Sequence, residues 1–448
     1  MTILFWEKLV FFLYMVLLPF EAFHPLGFNK YGTIAKTPSF FFFIIGFILS
    51  IFSQKGKIII KDRGYLKKLT ILIGVVSSIS ICMAVVLYKS VNPISGFHTI
   101  DVIWGPIFYN IIMIFIMYYV IHMTQRVDKI FIDHILDIIY VYTIFIGYIQ
   151  LGAIFGVGPF RSVLNILGSL DLTYSSRICL NNSQIVLMFS EPSYAEILLC
   201  GLLMPFICGR ILSTKKSKLS VIKLFLLLPL VFYNGSSSVL IGTAICIGVM
   251  LFLSAKKNDK SRKKMIVLFG VYVALVILLF TNNPIKEILI NQVLKKPFDQ
   301  ENYSTIQRTS VIRNCLMVFK EHPILGVGNG IQGFFYESHL LPSDLKSYEV
   351  LNTLKYENGV PGAGSWAGGW LSGYGIVGTL FLILFIISTL KPLKKFKNTQ
   401  YYYAYIIGGI CFLVCGWFTA STAGGYLSLF VLTIPAFAAK YFTIDESI

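Results

Sequence analysis

The residues of this chain that could do chemistry are few. Their densest group is the run Phe189-Ser190-Glu191-Pro192-Ser193-Tyr194-Ala195-Glu196, set in an otherwise apolar stretch. A carboxylate inside such a stretch costs roughly 2.5–3.5 kcal/mol on insertion scales, so it is retained for pairing or for function. Pro192 removes one helical hydrogen bond and leaves the carbonyl of Met188 without its donor. Seven residues into a helix that starts at Gln184, Glu191 would lie about 10 Å below the helix end, at the floor of an externally open cavity. There it is either a general base or substrate anchor, or a packing acid paired with a basic side chain. Glu196 sits about 140° around the same helix. The second group is cationic: Arg161, Arg177, Arg308 and Arg313. Guanidinium keeps its charge and offers a bidentate fork that matches phosphate. A solvated face or a loop ion pair would use the same residues. Arg308 and Arg313 are about 140° apart on a helix and need not share one ligand. The turn Asn234-Gly235-Ser236-Ser237-Ser238 offers hydroxyls to a sugar or to the cap of the next helix. His322, before Pro323, is a base, a ligand or a helix-end residue. His24, His98 and His339 have no discernible partner. The chain has no Walker loop, GxGxxG turn, hydrolase elbow or Cys/His metal spacing.

The elements that must position these groups follow from composition. The 448 residues are 56% hydrophobic and 13% charged, with a mean hydropathy of +0.74. Soluble domains are about 45–50% apolar and roughly 25% charged. Too few polar side chains exist to cover a soluble surface, so the excess apolar area must face lipid. The fold class predicted is an all-α polytopic membrane protein. Windows of about 20 apolar residues, enough to cross a bilayer, recur about twelve times. They fall near 3–22, 38–53, 69–88, 103–122, 131–156, 184–209, 221–234, 238–254, 265–282, 371–390, 401–419 and 422–439. The first is not a cleavable signal, because it lacks a basic leader and a small-residue cleavage site.

The net charge of +17 is read by position rather than as a nucleic-acid footprint. Lys and Arg crowd alternate short loops at 55–68, 126–129, 210–218, 256–264 and 391–397, whereas the loops between hold only Lys30, Lys36, Lys89, Arg161 and Arg177 before the long one. Basic loops stay cytoplasmic, so both termini are expected there. Of the eight Cys, only Cys179 and Cys315 fall in predicted external loops, which allows at most one disulfide. Residues 1–282 would carry the first nine spans and 371–448 the last three. Between them, 283–370 is too long for a connector and too polar to span, so it is expected to form a partly helical extracytoplasmic cap. Within it, 305–320 has helical spacing, with Ile306, Val311, Ile312, Leu316 and Phe319 as an apolar stripe. Pro323 then ends the helix, and Gly326, Gly328, Gly330 and Gly333 read as tight turns. No inverted repeat of the secondary-transporter kind is visible.

The large loop between the ninth and tenth spans, the run Arg308…Glu321-His322-Pro323-Ile324-Leu325-Gly326-Val327-Gly328 and the later Tyr374-Gly375-Ile376-Val377-Gly378 resemble the O-antigen ligase/polymerase superfamily. There the loop opens with an Arg, continues to an hP-x-x-G-x-G turn and ends before G-I-x-G. Glu191-Pro192-Ser193 resembles the corresponding element of Wzy-type polymerases. Ligases of this group carry a Ser-Arg pair after the seventh span and a His late in the loop. This chain has Ser236-Ser237-Ser238 and Ser365-Trp366 at those places, which points away from ligase and toward polymerase.

The resemblance implies a glycosyl transfer at the outer face of the bacterial inner membrane. It would join undecaprenyl-pyrophosphate-linked oligosaccharide repeat units, in lipopolysaccharide or other polysaccharide biosynthesis. Donor and acceptor glycolipids and the bilayer are the implied partners. A chain-length regulator protein is admitted as another, and nucleic acid is not. Energy is stored in the anomeric pyrophosphate, so the scheme needs no nucleotide, metal or other cofactor. Arg308, with Arg313 or Arg177 assisting, would stabilise the departing pyrophosphate, and Glu191 would activate the acceptor hydroxyl. Arg161, Ser193 and His322 are further substrate-binding candidates, and Tyr194, Trp366, Trp370 and Tyr336 are candidate sugar platforms. The alternatives are an O-antigen ligase acting on lipid A core and, from a different class, a polytopic transporter or flippase.

Overall fold

The computed structural model describes residues 3–20, 38–54, 63–87, 99–169, 179, 184–189, 192, 195–213, 218–255, 270, 303–328, 330–356, 364–397 and 399–415. Among these described residues there is no strand. The chain opens with α1 (Ile3–Leu17) and α2 (Ser39–Ser53), an antiparallel pair. Next come α3 (Arg63–Leu87), α4 (Thr99–Thr124), α5 (Lys129–Ile154) and α6 (Gly158–Ser169). A π-helical turn, Ile197–Leu203, leads into α7 (Met204–Ser213), followed by α8 (Lys218–Asn234) and α9 (Ser237–Ala255). After α10 (Tyr303–Glu321) come the 3-10 turns Ile331–Phe335, Glu337–His339 and Asp344–Lys346 and the short α11 (Tyr348–Tyr356). The long α12 (Trp366–Leu393) and α13 (Gln400–Cys415) complete the described part.

Four of these helices are long and apolar enough to cross a membrane: Lys67–Leu87, Lys129–Ile154, Ser238–Ala255 and Trp366–Leu393. They make this a helical, multi-pass membrane protein. The apolar windows near 265–282 and 422–439 lie outside the described residues, apart from Gly270. One window is overturned. The stretch 184–209 is not one helix: 184–189 is non-helical, Pro192 lies in a 3-10 turn, and helix is regular only from Met204 after the π turn. The helix start that placed Glu191 at a set depth and Glu196 at a set angle is therefore absent.

Local chemistry accounts for the element ends. Asp128 caps α5 by accepting the Phe131 amide at 2.8 Å, and Ser365 caps α12 by accepting that of Gly368 at 3.0 Å. One large apolar core is built from α1, α2, α4, α5, the π turn, α7, α8, α9 and α13. A second, smaller core joins α3 to α12. A third places the end of α3 (Ala84, Leu87) against Val318 of α10 and Val327 and Ile331 beyond it. The segment 303–356 thus caps one end of the bundle.

Polar clusters pin the opposite end. Asp133 accepts from Gln400 Nε2 at 2.7 Å and Tyr401 OH at 2.8 Å, and pairs with Arg210 at 3.2 Å. Arg210 and Lys223 also converge on Asp137. The buried Glu7 of α1 pairs with Arg126 at 3.0 Å and accepts from Ser53 of α2.

Candidate functional site

The two short glycine motifs dock into each other. α12 is broken at Gly375, whose φ of 59° and ψ of −158° are non-helical. The turn after α10 inserts at that break: Val327 N donates to Ser372 O at 2.9 Å and Gly328 N to Gly373 O at 2.8 Å. In return Ile376 N donates to Pro323 O at 2.9 Å and Val377 N to Ile324 O at 3.1 Å. Peptide groups freed by the break are thereby satisfied by the turn. A Cβ on Gly326 would lie 2.5 Å from Ser372 O, and one on Gly375 would press still closer on Ile324 O. Both glycines have positive φ. The hP-x-x-G-x-G and G-I-x-G elements are a joint that fixes α10 to α12.

On α10 the buried face is Ser310, Val311, Asn314, Cys315 and Val318. Of the apolar stripe read from spacing, Val311 is buried and Ile306 packs beside it, whereas Leu316 is 45% exposed. Polar groups displace it because they find partners: Ser310 Oγ meets Tyr336 OH at 2.7 Å, and Asn314 Nδ2 donates to Gln332 O at 2.8 Å. Tyr336 is wholly buried in this way, so it has no ring face for a sugar and its expected platform role is withdrawn. Cys315 and Cys179 are buried thiols, and no disulfide joins them. Burial pushes the Cys315 thiol up to about 11.

The arginines divide. Arg313 is committed to Asp344, whose side chain is buried and also accepts the Leu341 amide at 2.7 Å. Arg161 folds back onto the carbonyl of Ala153 at 3.1 Å, closing the corner between α5 and α6. Arg308 is exposed and has no acidic partner among the described residues. It shares a helical face with Val311 and Cys315, three and seven residues on. Those two pack at the start of α12, where a Cβ on Gly364 would meet Val311 at 2.8 Å and one on Gly368 would meet Cys315 at 3.2 Å. Arg308 therefore occupies the face of α10 that turns toward the N-terminus of α12, whose first segment runs from Trp366 to the break at Gly375. Free N–H groups and the helix dipole favour anions at such an end.

His322 ends α10, with its amide on Val318 O at 2.8 Å and its ring edge-on to Phe335 at 5.9 Å. His339, to which the sequence assigned no partner, holds two: Nδ1 is 2.8 Å from Asn314 Oδ1 and Nε2 is 3.2 Å from Glu321 Oε1. The rings of Trp366 and Trp370 lie tilted at 5.5 Å, and Trp370 meets Tyr374 edge-on at 4.8 Å. Trp366 also meets Phe412 of α13 at 4.8 Å. Three residues further on, Cys415 touches the buried carboxyl of Glu196 at the start of the π turn. The N-terminus of α12 and the segment that follows Pro192 thus reach the same end of α13.

Glu191, Ser193, Tyr194 and Arg177 lie outside the described residues. The described residues nearest Glu191 in the sequence, 184–189 and Pro192, are held by two groups that sequence reasoning passed over. Gln150 of α5 accepts from Val186 N at 3.1 Å and Leu187 N at 2.9 Å and donates to Leu187 O at 2.9 Å. Asn234 at the end of α8 donates to Ile185 O at 2.6 Å and to Pro192 O at 3.0 Å. The signal for Gln150 was an uncharged amide within an apolar helix. Asn234 was read only as part of a turn.

Residues 222–383 match the family model described as Wzy_C, O-antigen ligase. No curated protein matches the chain. The matched segment runs from α8 into α12 and contains Arg308 and both halves of the glycine joint. It supports the O-antigen ligase/polymerase superfamily for this part of the chain, without choosing between ligase and polymerase.

Proposed function

We propose that this protein is a glycosyltransferase of surface-polysaccharide assembly, a polymerase that joins undecaprenyl-pyrophosphate-linked oligosaccharide repeat units. The observation that carries the reading is Arg308: an exposed guanidinium without an acidic partner among the described residues, turned toward the N-terminus of α12, inside the matched segment. In this reading the acceptor sugar hydroxyl attacks the anomeric carbon of the donor. The carbon–oxygen bond to pyrophosphate breaks with its electron pair on the leaving oxygen, and the hydroxyl proton passes to Glu191. Arg308 and the first N–H groups of α12 meet the charge that builds on the leaving group. Residues 283–370 form the cap on the outer side of the inner membrane, with both termini cytoplasmic, in keeping with the basic loops.

Polymerase is read over ligase from the sequence, which lacks the Ser-Arg pair and the late His of ligases, and the serines at those places have structural roles. Ser365, where ligases of the group place a His, has its hydroxyl on Gly368 N as a helix cap, and Ser236 and Ser238 bond each other at 2.7 Å. The family description keeps the ligase reading as the second one. Cells lacking the protein separate the two. Loss of a polymerase leaves single-repeat glycan, whereas loss of a ligase leaves long polymer on its carrier lipid. Arg308→Ala and Glu191→Ala are each expected to stay in the membrane and yield single-repeat glycan. Purified Arg308→Ala should transfer about 100–1000-fold more slowly, the cost typical of one transition-state donor. Full-length polymer from both variants would end the reading.

A further inference from the structure

The non-helical run 184–189 is buried in the main core of the bundle, and Ile185, Val186, Leu187, Met188 and Phe189 are each at most 3% exposed. Leu187 has a φ of 56°, the left-handed region that a branched side chain rarely enters. A continuous helix would satisfy these peptide groups internally. Here they lie among apolar side chains, where an unpaired N–H or C=O is costly. Such a path persists only when its surroundings over-determine it, and paths of that kind cluster at functional sites.

Two side-chain amides over-determine it. Gln150, 1% exposed, presents its carboxamide as a substitute peptide, taking the amides of Val186 and Leu187 on Oε1 and the carbonyl of Leu187 on Nε2. These bonds also set which end of the amide is oxygen. Asn234 is wholly buried and joins two segments with one nitrogen: Ile185 O at 2.6 Å, six residues before Glu191, and Pro192 O at 3.0 Å, one residue after it. Its oxygen takes the Ser236 amide at 3.3 Å, and the backbone adds Ile185 N to Tyr233 O at 2.9 Å. Pro192 is bonded directly to Glu191 in the sequence.

The geometry points to Gln150 and Asn234 as positioning residues for glycosyl transfer, holding residues 185–187 and Pro192, which flank Glu191 in the sequence, the first of them in a path that no helix would supply. This rests on the polymerase reading above. Neither residue touches substrate in this proposal; each acts through the run that it holds.

The test is steady-state kinetics of purified protein in phospholipid vesicles with a lipid-linked repeat unit, scaled to the folded fraction. The variants are Gln150→Met, Gln150→Glu, Asn234→Leu and Asn234→Asp. Gln150→Met and Asn234→Leu should lower kcat at least tenfold, with KM changed less than threefold. Gln150→Glu keeps the acceptor for two amides and should recover part of kcat. Asn234→Asp keeps only the acceptor for Ser236 and should not. Gln150→Glu and Asn234→Asp keep the side-chain size, so this contrast can be read if the apolar variants do not fold. Variants that reduce the amount of folded protein but leave kcat per folded molecule at the wild-type value would show scaffolding alone and overturn the proposal. A wild-type protein that transfers no sugar would overturn the polymerase reading first, and that measurement precedes the variants.

Discussion

At Gly326 and Gly375 a single hydrogen separates a working joint from a collision. Each has positive φ, and each would drive a Cβ into backbone rather than into a movable side chain. Gly326→Ala and Gly375→Ala should each cost about 2–4 kcal/mol, from positive-φ strain plus overpacking. Gly248→Ala in α9, with nothing within 4 Å of the added carbon, should be neutral or stabilise by about 0.5–1 kcal/mol. Thermal unfolding in detergent would rank the three, and equal melting temperatures would disprove the joint. Cys315 gives a second expectation at this scale. Its burial and raised thiol pKa should leave it unalkylated at pH 7 in the folded protein and reactive only after unfolding, which mass spectrometry reads directly.

At the scale of elements, the cap is a helix clothed in short turns and held by polar contacts. α10 is fastened to the turns by Ser310–Tyr336, Asn314–Gln332, Arg313–Asp344 and the His339 bridge between Asn314 and Glu321. Asp344 does double duty, pairing Arg313 and holding the Leu341 amide. Asp344→Ala should cost about 1–3 kcal/mol, because it leaves a half-buried guanidinium and a backbone amide short of an acceptor. Limited proteolysis should then cut at 337–346 under conditions that spare the wild type. Arg308 contributes to none of the fastenings described, so Arg308→Ala should leave that proteolytic pattern unchanged. That contrast separates a residue kept for function from those kept for the fold.

For the whole molecule, the two ends of the bundle are built differently. The cap end carries the non-helical run 184–189, the α12 break and Arg308, which has no acidic partner among the described residues, while the opposite end is tied by charge. Arg210 of α7 joins Asp133 and Asp137 of α5, and Asp133 reaches Gln400 and Tyr401 of α13. Arg210→Ala would leave Asp137 with Lys223 and Asp133 with the neutral donors of Gln400 and Tyr401. It should cost about 3 kcal/mol, the low end for breaking a buried pair, since Asp137 is 40% exposed. A lower detergent melting temperature with unchanged catalytic rate per folded molecule is expected. A fall in rate without loss of stability would mean that the opposite end takes part in the chemistry.

The sequence alone determined the membrane class and most of the helices, because apolar area and 20-residue windows are additive along the chain and need no partners. It also placed the cap helix within two residues at its start and one at its end, and the turns at Gly326, Gly328 and Gly330, since a proline stop and left-handed glycines are local. Tertiary structure decided the rest. Only there does the stretch 184–209 break, because Gln150 and Asn234, far off in the chain, satisfy peptide groups that spacing alone would assign to a helix. Only there do Arg313 and Arg308 part company, one meeting Asp344 and the other facing the start of α12. Tyr336 passed from a surface platform to a buried hydroxyl for the same reason: a polar group's fate depends on whether a distant partner arrives, and hydropathy does not record that.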